Sequence, residues 1–220
     1  MPTYSAAPIQ AVLFDYGVVL SGPPDPGAWA RMREITHVDE ATFRAAYWAP
    51  RHDYDRGHHT GVAYWNTFAA HAGLALSEIQ LAALMDADNA LWTQVNEPMV
   101  DWALRLQQAG TPTGVLSNLG DAMTEGVLAR QPWLAGFDHL VWSHALKLAK
   151  PDPLIYPHSI QGLGVPAESI LFIDDRTNNV DGGLAAGMQA VLYTTQAAFE
   201  ADLESRGLGD LWRTGRTSAT

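Results

Sequence analysis

The sequence predicts an α/β fold, and three observations carry the prediction. Short apolar runs recur along the chain: QAVLFD (10–15), PTGVLS (112–117), DHLVW (138–142), SILFID (169–174) and QAVLY (189–193). They are rich in Val, Ile, Leu and Phe and do not alternate with polar residues, the pattern of strands buried on both faces. Helical periodicity fills the gaps between them, at 97–109, 120–130, 153–163, 178–187 and 195–206. Strands that alternate with helices imply a parallel sheet between helical layers. Residues 22–92 break that rhythm, with helical signals at 26–36, 40–48, 60–72 and 77–92 and no strand. The expected architecture is a Rossmann-like parallel sheet with helices on both faces, plus a helical cap inserted after the first strand.

The first strand ends on Asp15. The Pro/Gly-rich segment SGPPDP (21–26) follows and suits a hinge; TQVNEP (93–98) suits the second. The division is a core of 1–21 and 95–220 and a helical cap of 22–94. The polar tail RTGRTSAT (213–220) is expected to fray. No internal repeat is visible.

Composition sets bounds. The 220 residues are 47% hydrophobic, enough for a real core. With 13 basic and 24 acidic side chains the net charge is −11, which argues against nucleic-acid or anionic-membrane binding. The absence of cysteine excludes disulfides and thiolate metal sites. The start, MPTYSAAPIQ, lacks a basic segment followed by a long apolar one, and no run is long enough to span a bilayer. A soluble, cytoplasmic protein is expected. The eight tryptophans suit either a joint between cap and core or a homodimer face, so monomer and homodimer stay open.

Four features fall where strands meet the ligand edge of such a sheet. Asp15 ends the first strand, Ser117 and Asn118 end the second, Lys150 lies in LAKPDP, and Asp174 and Asp175 end ILFIDD. Singly, each has an ordinary explanation as a turn, cap or solvated residue. Converging on one edge, they make coherent chemistry. Carboxylates and a backbone carbonyl are the hard oxygen ligands Mg²⁺ prefers. A carboxylate can attack a phosphoryl group. A hydroxyl, backbone N–H groups and a lysine can stabilise the charge on its oxygens.

The ordered motifs FDYGVVL, VLSN, KPDPLIY and LFIDDRTNNVDGGLAAGM resemble the haloacid dehalogenase superfamily of aspartyl-nucleophile hydrolases, over nearly the whole chain. The resemblance implies Asp15 as nucleophile and metal ligand, and Ser117 with the Asn118 backbone as the phosphoryl-binding pair. It implies Lys150 as the neutralising cation, with Lys147 in reserve. Asp175 would be the second acidic ligand of Mg²⁺, Asp174 a supporting or alternative one, and the Gly17 carbonyl a further ligand. The family's phosphatases carry a second aspartate where this chain has Gly17, so the side-chain proton donor is missing. Three readings follow. One is a phosphatase of a small phosphorylated metabolite, with an easily departing group such as that of a sugar 1-phosphate or a proton taken from water or the cap. The second is a metal-free 2-haloacid dehalogenase. The third is a phospho-ligand binder without turnover.

The stretch YWAPRHDYDRGHH (47–59) resembles the family's cap loop that faces the active site. Arg56, His52 and His58 are candidates for substrate contacts there, and a histidine, His59 included, for the missing proton. A zinc site at these histidines lacks a completing carboxylate pattern. Thr60 suits a helix cap. Trp48 and Trp65 are expected to pack cap helices.

Overall fold

The computed structural model describes residues 7–215. The reading of MPTYSAAPIQ falls mainly outside the described residues, as does the tail beyond Gly215. Arg213 and Thr214, expected to fray, close a final helix whose neighbour Trp212 packs on Trp102.

The elements run in chain order. Strand β1 (Ala11–Phe14) is followed by a widened turn at Tyr16–Leu20. Five helices come next: α1 (Pro26–Thr36), α2 (Glu40–Trp48), α3 (Arg51–Asp55), α4 (Gly61–Ala72) and α5 (Glu78–Leu91). Then come α6 (Glu97–Gln108), β2 (Thr113–Ser117), α7 (Asp121–Arg130), β3 (His139–Trp142), α8 (Ser143–Leu146) and α9 (Tyr156–Leu163). The chain continues with β4 (Ile170–Asp174), α10 (Thr177–Ala185), β5 (Gln189–Leu192), α11 (Gln196–Ser205) and α12 (Gly209–Thr214). The five strands form one parallel sheet, as the sequence predicts, and their order is β3-β2-β1-β4-β5.

The apolar runs make this sheet because both faces are covered. Side chains alternate across a strand. Val12 and Phe14 enter one apolar cluster with Leu171, Ile173, Trp102 and Phe199. Ala11 and Leu13 enter the other with Ile170, Phe172, Tyr156 and Val180. Phe14 meets Trp102 edge-on at 5.4 Å between ring centroids, a favoured aromatic geometry.

The register creates the functional edge. Phe14 pairs with Val115 on one side and Ile173 on the other, so β1, β2 and β4 end nearly level at Asp15, Ser117 and Asp174. Sheet order reverses around β1, where open α/β sheets form their ligand crevice.

Helices α1 to α5 cover that edge. Their ends follow local chemistry. Asp25 caps α1 ahead of Pro26, Asp39 caps α2, and Thr60 caps α4. Ser77 and Gln80 form a capping box on α5. The two chain crossings lie side by side: Ser21 bridges Val95, Gly22 N donates to Gln94 O, and Asn96 N donates to Leu20 O. The helical layer closes on α7 through Gly120 and Gly126, whose missing side chains admit the Tyr54 ring and the Asn89 amide. The phenol of Tyr54 accepts from Met123 N at 3.3 Å, and Gly61 N donates to Asp121 Oδ1 at 2.8 Å.

This seam is testable. A Cβ at Gly120 would lie 2.2 Å from the buried Tyr54 ring, while its φ of −70° tolerates any residue. Gly120→Ala should therefore act by overpacking alone and lower stability by about 1–3 kcal/mol in urea denaturation.

Candidate active site

A cavity of about 380 Å³ opens between the carboxyl edge of the sheet and the helical layer. Its sheet side is formed by Asp15, Gly17, Ser117, Asn118, Lys150 and Asp175. The helical segment contributes Trp48, Arg51, His52 and Asp55 to its wall, and Trp92 closes its side.

Asp15 follows directly from β1, with its N–H donating to Ile173 O at 2.8 Å. Its Oδ1 accepts from Tyr16 N at 2.6 Å and from Lys150 Nζ at 2.9 Å. Both bonds fall on one oxygen and leave Oδ2 for chemistry. The Lys150 ammonium also donates to Asp174 Oδ2 at 2.6 Å, with only 1% of its side chain exposed. Asn118 fixes this lysine by its main chain: Asn118 Nδ2 donates to Lys150 O at 2.9 Å and Lys150 N donates to Asn118 Oδ1 at 2.8 Å. Asp174 is saturated, since its Oδ1 accepts from Arg176 N and Asn179 Nδ2, both at 2.9 Å.

The electrostatics follow from burial. Removal from water pushes the Asp15 carboxyl up to about 7; Lys150 opposes the shift, and Asp174 and Asp175 add to it. Burial works against the charge on Lys150, yet Asp15 and Asp174 outweigh it and raise its pKa. Asp175 is shifted upward by burial and by Asp174. Asp15, Asp174 and Asp175 each offer a carboxylate oxygen within 4.8 Å of the others, a hard donor set suited to Mg²⁺. Since Asp174 is engaged by Lys150 and by its own loop, Asp15 and Asp175 are the acids left for a cation.

The backbone after Asp15 is unusual. Val18 has a φ of 63°, strained for a β-branched residue, and its N–H donates to Ser21 Oγ at 3.0 Å. Gly17, with φ −63° and ψ 129°, lines the cavity without a side chain.

The cap residues require correction. The stretch 47–59 is not an open loop, because α3 forms a helical turn after Pro50. Arg51 and Asp55, four residues apart, share the face toward the cavity. Arg56 lies roughly 140° round the helix from Arg51. It is drawn away into an ion pair with Asp152 at 2.6 Å and does not line the cavity. His58, beyond Gly57, is half exposed and lies 3.6 Å from Asp53, also outside the cavity wall. His52 does line it. Trp65 is buried among cap aromatics as expected, whereas Trp48 is 43% exposed and faces the cavity. Lys147 is exposed, with a left-handed φ of 55°.

Sequence reasoning missed Arg51, Asp55 and Arg176 in the wall. Arg51 is almost fully buried: its Nη1 donates to Tyr47 Oη at 2.6 Å, and that phenol donates to Asp88 at 2.6 Å. The i, i+4 spacing of Arg51 and Asp55 was the available signal.

Among the described residues, no helix is long and apolar enough to cross a membrane. A sequence model of haloacid dehalogenase-like hydrolases matches residues 9–187. The chain is 28% identical over 148 residues to (S)-2-haloacid dehalogenase H-109 of Pseudomonas putida, covering 64% of this chain and 65% of that one. A second (S)-2-haloacid dehalogenase of that organism is 31% identical over 103 residues, 44% of its own length. The chain thus spans less than two thirds of these relatives. The structure of the HAD family enzyme bt-2542 from Bacteroides thetaiotaomicron superposes with a TM-score of 0.74 over 90% of this chain and 99% of that one, at 19% identity. The L-2-haloacid dehalogenase of Xanthobacter autotrophicus gives 0.63 over 96% and 100%, at 21% identity. With its sheet edge, its ordered motifs and a match over residues 9–187, this chain belongs to the haloacid dehalogenase-like hydrolase family.

Proposed function

We propose that the protein is a phosphatase that hydrolyses a small phosphorylated metabolite, such as a sugar phosphate, through an aspartyl-phosphate on Asp15. The observation that carries this reading is the acidic trio Asp15, Asp174 and Asp175 around Lys150. Such a trio would repel an anionic haloacid unless a cation screened it, and it suits a phosphoryl group bound with a cation. The B. thetaiotaomicron structural neighbour has been solved with magnesium and inorganic phosphate, which supports the reading.

Asp15 and Asp175, with the Gly17 carbonyl, would hold Mg²⁺. When bound, that ion supplies positive charge that offsets repulsion between the carboxylate and the phosphoryl oxygens. The chain's own groups do the rest. Asp15 Oδ2 attacks phosphorus. The Ser117 hydroxyl and the Asn118 main-chain N–H bind the equatorial oxygens. Lys150 opposes the burial cost of the Asp15 charge and neutralises the transferred group. The cavity, at about 380 Å³, has room for a small metabolite. Trp48 and Trp92 offer apolar faces to a sugar ring.

Dehalogenation is the second reading, favoured by the sequence relatives. It predicts metal-independent halide release from 2-haloacids. The phosphatase reading predicts inorganic phosphate release from sugar phosphates and p-nitrophenyl phosphate that is abolished by EDTA and by Asp15→Asn, with the variant's circular dichroism unchanged. Halide release without phosphate release would overturn it.

Two further outcomes follow. Mg²⁺ at about a hundred times its Kd should stabilise the fold by about 2.7 kcal/mol, read as a rise in Tm, and Asp175→Asn should remove the effect. Lys150→Met leaves two buried carboxyls without their cation and should cost about 3–5 kcal/mol near pH 8. Without the ammonium, the folded-state pKa of Asp15 rises further above its unfolded value. A raised carboxyl pKa favours the folded state at acid pH and loses that contribution as pH rises. The deficit in urea denaturation should therefore be smaller at pH 5 than at pH 8.

A further inference from the structure

We propose that Asp55, on the helical segment, gives the proton to the leaving oxygen and then takes one from the attacking water. The proposal rests on the phosphatase reading above. In an in-line displacement the attacking and leaving oxygens lie on opposite sides of phosphorus. Asp15 attacks from the sheet edge, so the leaving oxygen departs toward the helical layer. The turn after Asp15 has no side chain at Gly17 to meet it. Among the described residues, the acids that line the cavity are Asp15, Asp55 and Asp175; with Asp15 as nucleophile and Asp175 assigned to hold a cation, Asp55 is the one on the helical wall.

Its placement is built. The main-chain carbonyl of Asp55 accepts from Ser143 Oγ, and the same hydroxyl accepts from Leu119 N at 2.9 Å, beside the phosphoryl-binding turn. Helix α3 is thus tied to the sheet edge through one side chain. Asp55 Oδ1 accepts from Arg51 Nε at 2.9 Å, which leaves Oδ2 for proton transfer. The charged and titratable groups around it are Arg51 on the same helix, Tyr47 of α2, Tyr64 of α4, Asp88 of α5 and Arg176 after β4. His144 of α8 is engaged with Leu119 O and Thr124. Burial exceeds the pull of Arg51 and holds the Asp55 carboxyl at about 6, where it can both give and take a proton near neutrality.

The steps balance. As the Asp15 oxygen bonds to phosphorus, the bond from phosphorus to the leaving oxygen breaks and the Asp55 acid protonates that oxygen. The Asp55 carboxylate then takes a proton from water as the water oxygen bonds to phosphorus and the aspartyl P–O bond breaks. Inorganic phosphate leaves, and both aspartates return to their starting states.

The test compares kcat/KM, with Mg²⁺ present, for p-nitrophenyl phosphate and for the fastest alkyl phosphate of a sugar-phosphate panel. The nitrophenolate departs without a proton and the alkoxide needs one. Asp55→Asn is expected to lose about 10²–10⁴ in kcat/KM on the alkyl phosphate, and to keep it within about threefold on the nitrophenyl ester while phospho-enzyme accumulates. In the wild type, the ratio of alkyl phosphate to nitrophenyl ester kcat/KM should fall as pH rises through about 6, because ionisation of Asp15 acts on both substrates alike. Equal losses on both substrates, no loss on the alkyl phosphate, or a selective loss in His52→Gln in place of Asp55→Asn overturns the proposal. If Asp55→Asn does not fold, the wild-type comparison decides: identical profiles for the two substrates overturn it. Wild-type turnover of the nitrophenyl ester alone, dependent on Asp15, overturns this proposal and leaves the phosphatase reading standing. Absence of turnover on both substrates overturns the two together.

Discussion

Everything at the sheet edge depends on one buried ammonium. Parallel register brings β1 and β4 to an end side by side, and both end on aspartate. Two carboxylates so placed, away from water, would resist ionisation together. Lys150, held between them at 2.9 and 2.6 Å, makes the pair tolerable. Its position is over-determined, because Asn118 grips both the N–H and the carbonyl of the same residue. The chain thus spends the side chain of one strand end to position the cation for two others.

The helical layer solves a matching problem on the opposite wall. Arg51 is buried there under three tyrosine rings, at 5.3 to 5.8 Å from their centroids. Asp55 and Asp88 compensate its charge. Burying an arginine with two acids and a phenol leaves a carboxyl with a raised pKa facing the cavity. In the proposed reaction the sheet edge supplies the nucleophile and the helical wall the proton; Gly17 is then no defect, because the proton would come from across the cavity and not from along the chain.

The sheet and the long helices were legible because their signals are local and redundant. A strand buried on both faces must be apolar at nearly every position, as QAVLFD and SILFID are. Helix α5 carries its own capping box. The motif residues of the sheet edge could be placed as well, since a parallel sheet sends every strand end to the same side. Helix α3 was not legible. It has five residues, too few for a 3.6-residue period to be read, and it follows a proline. Without it, Arg56 and His58 were as plausible as Arg51 and Asp55. Helix α12 was hidden by its polar surroundings; the docking of Trp212 on Trp102 and Phe199 reveals it.

By itself the sequence determined which residues are buried strands, where they end, and which charged groups end them. Those are properties of short segments, set by periodicity and by the chemistry of single side chains. Only the tertiary structure decided which of two adjacent aspartates is consumed by Lys150, which arginine of the helical segment faces the cavity, and which acid stands opposite Asp15. The reason is physical. Each of those outcomes is a competition between burial and pairing among residues far apart in the chain, as in Lys150 with Asp174 or Arg56 with Asp152. Such a competition has no winner until the fold fixes the distances.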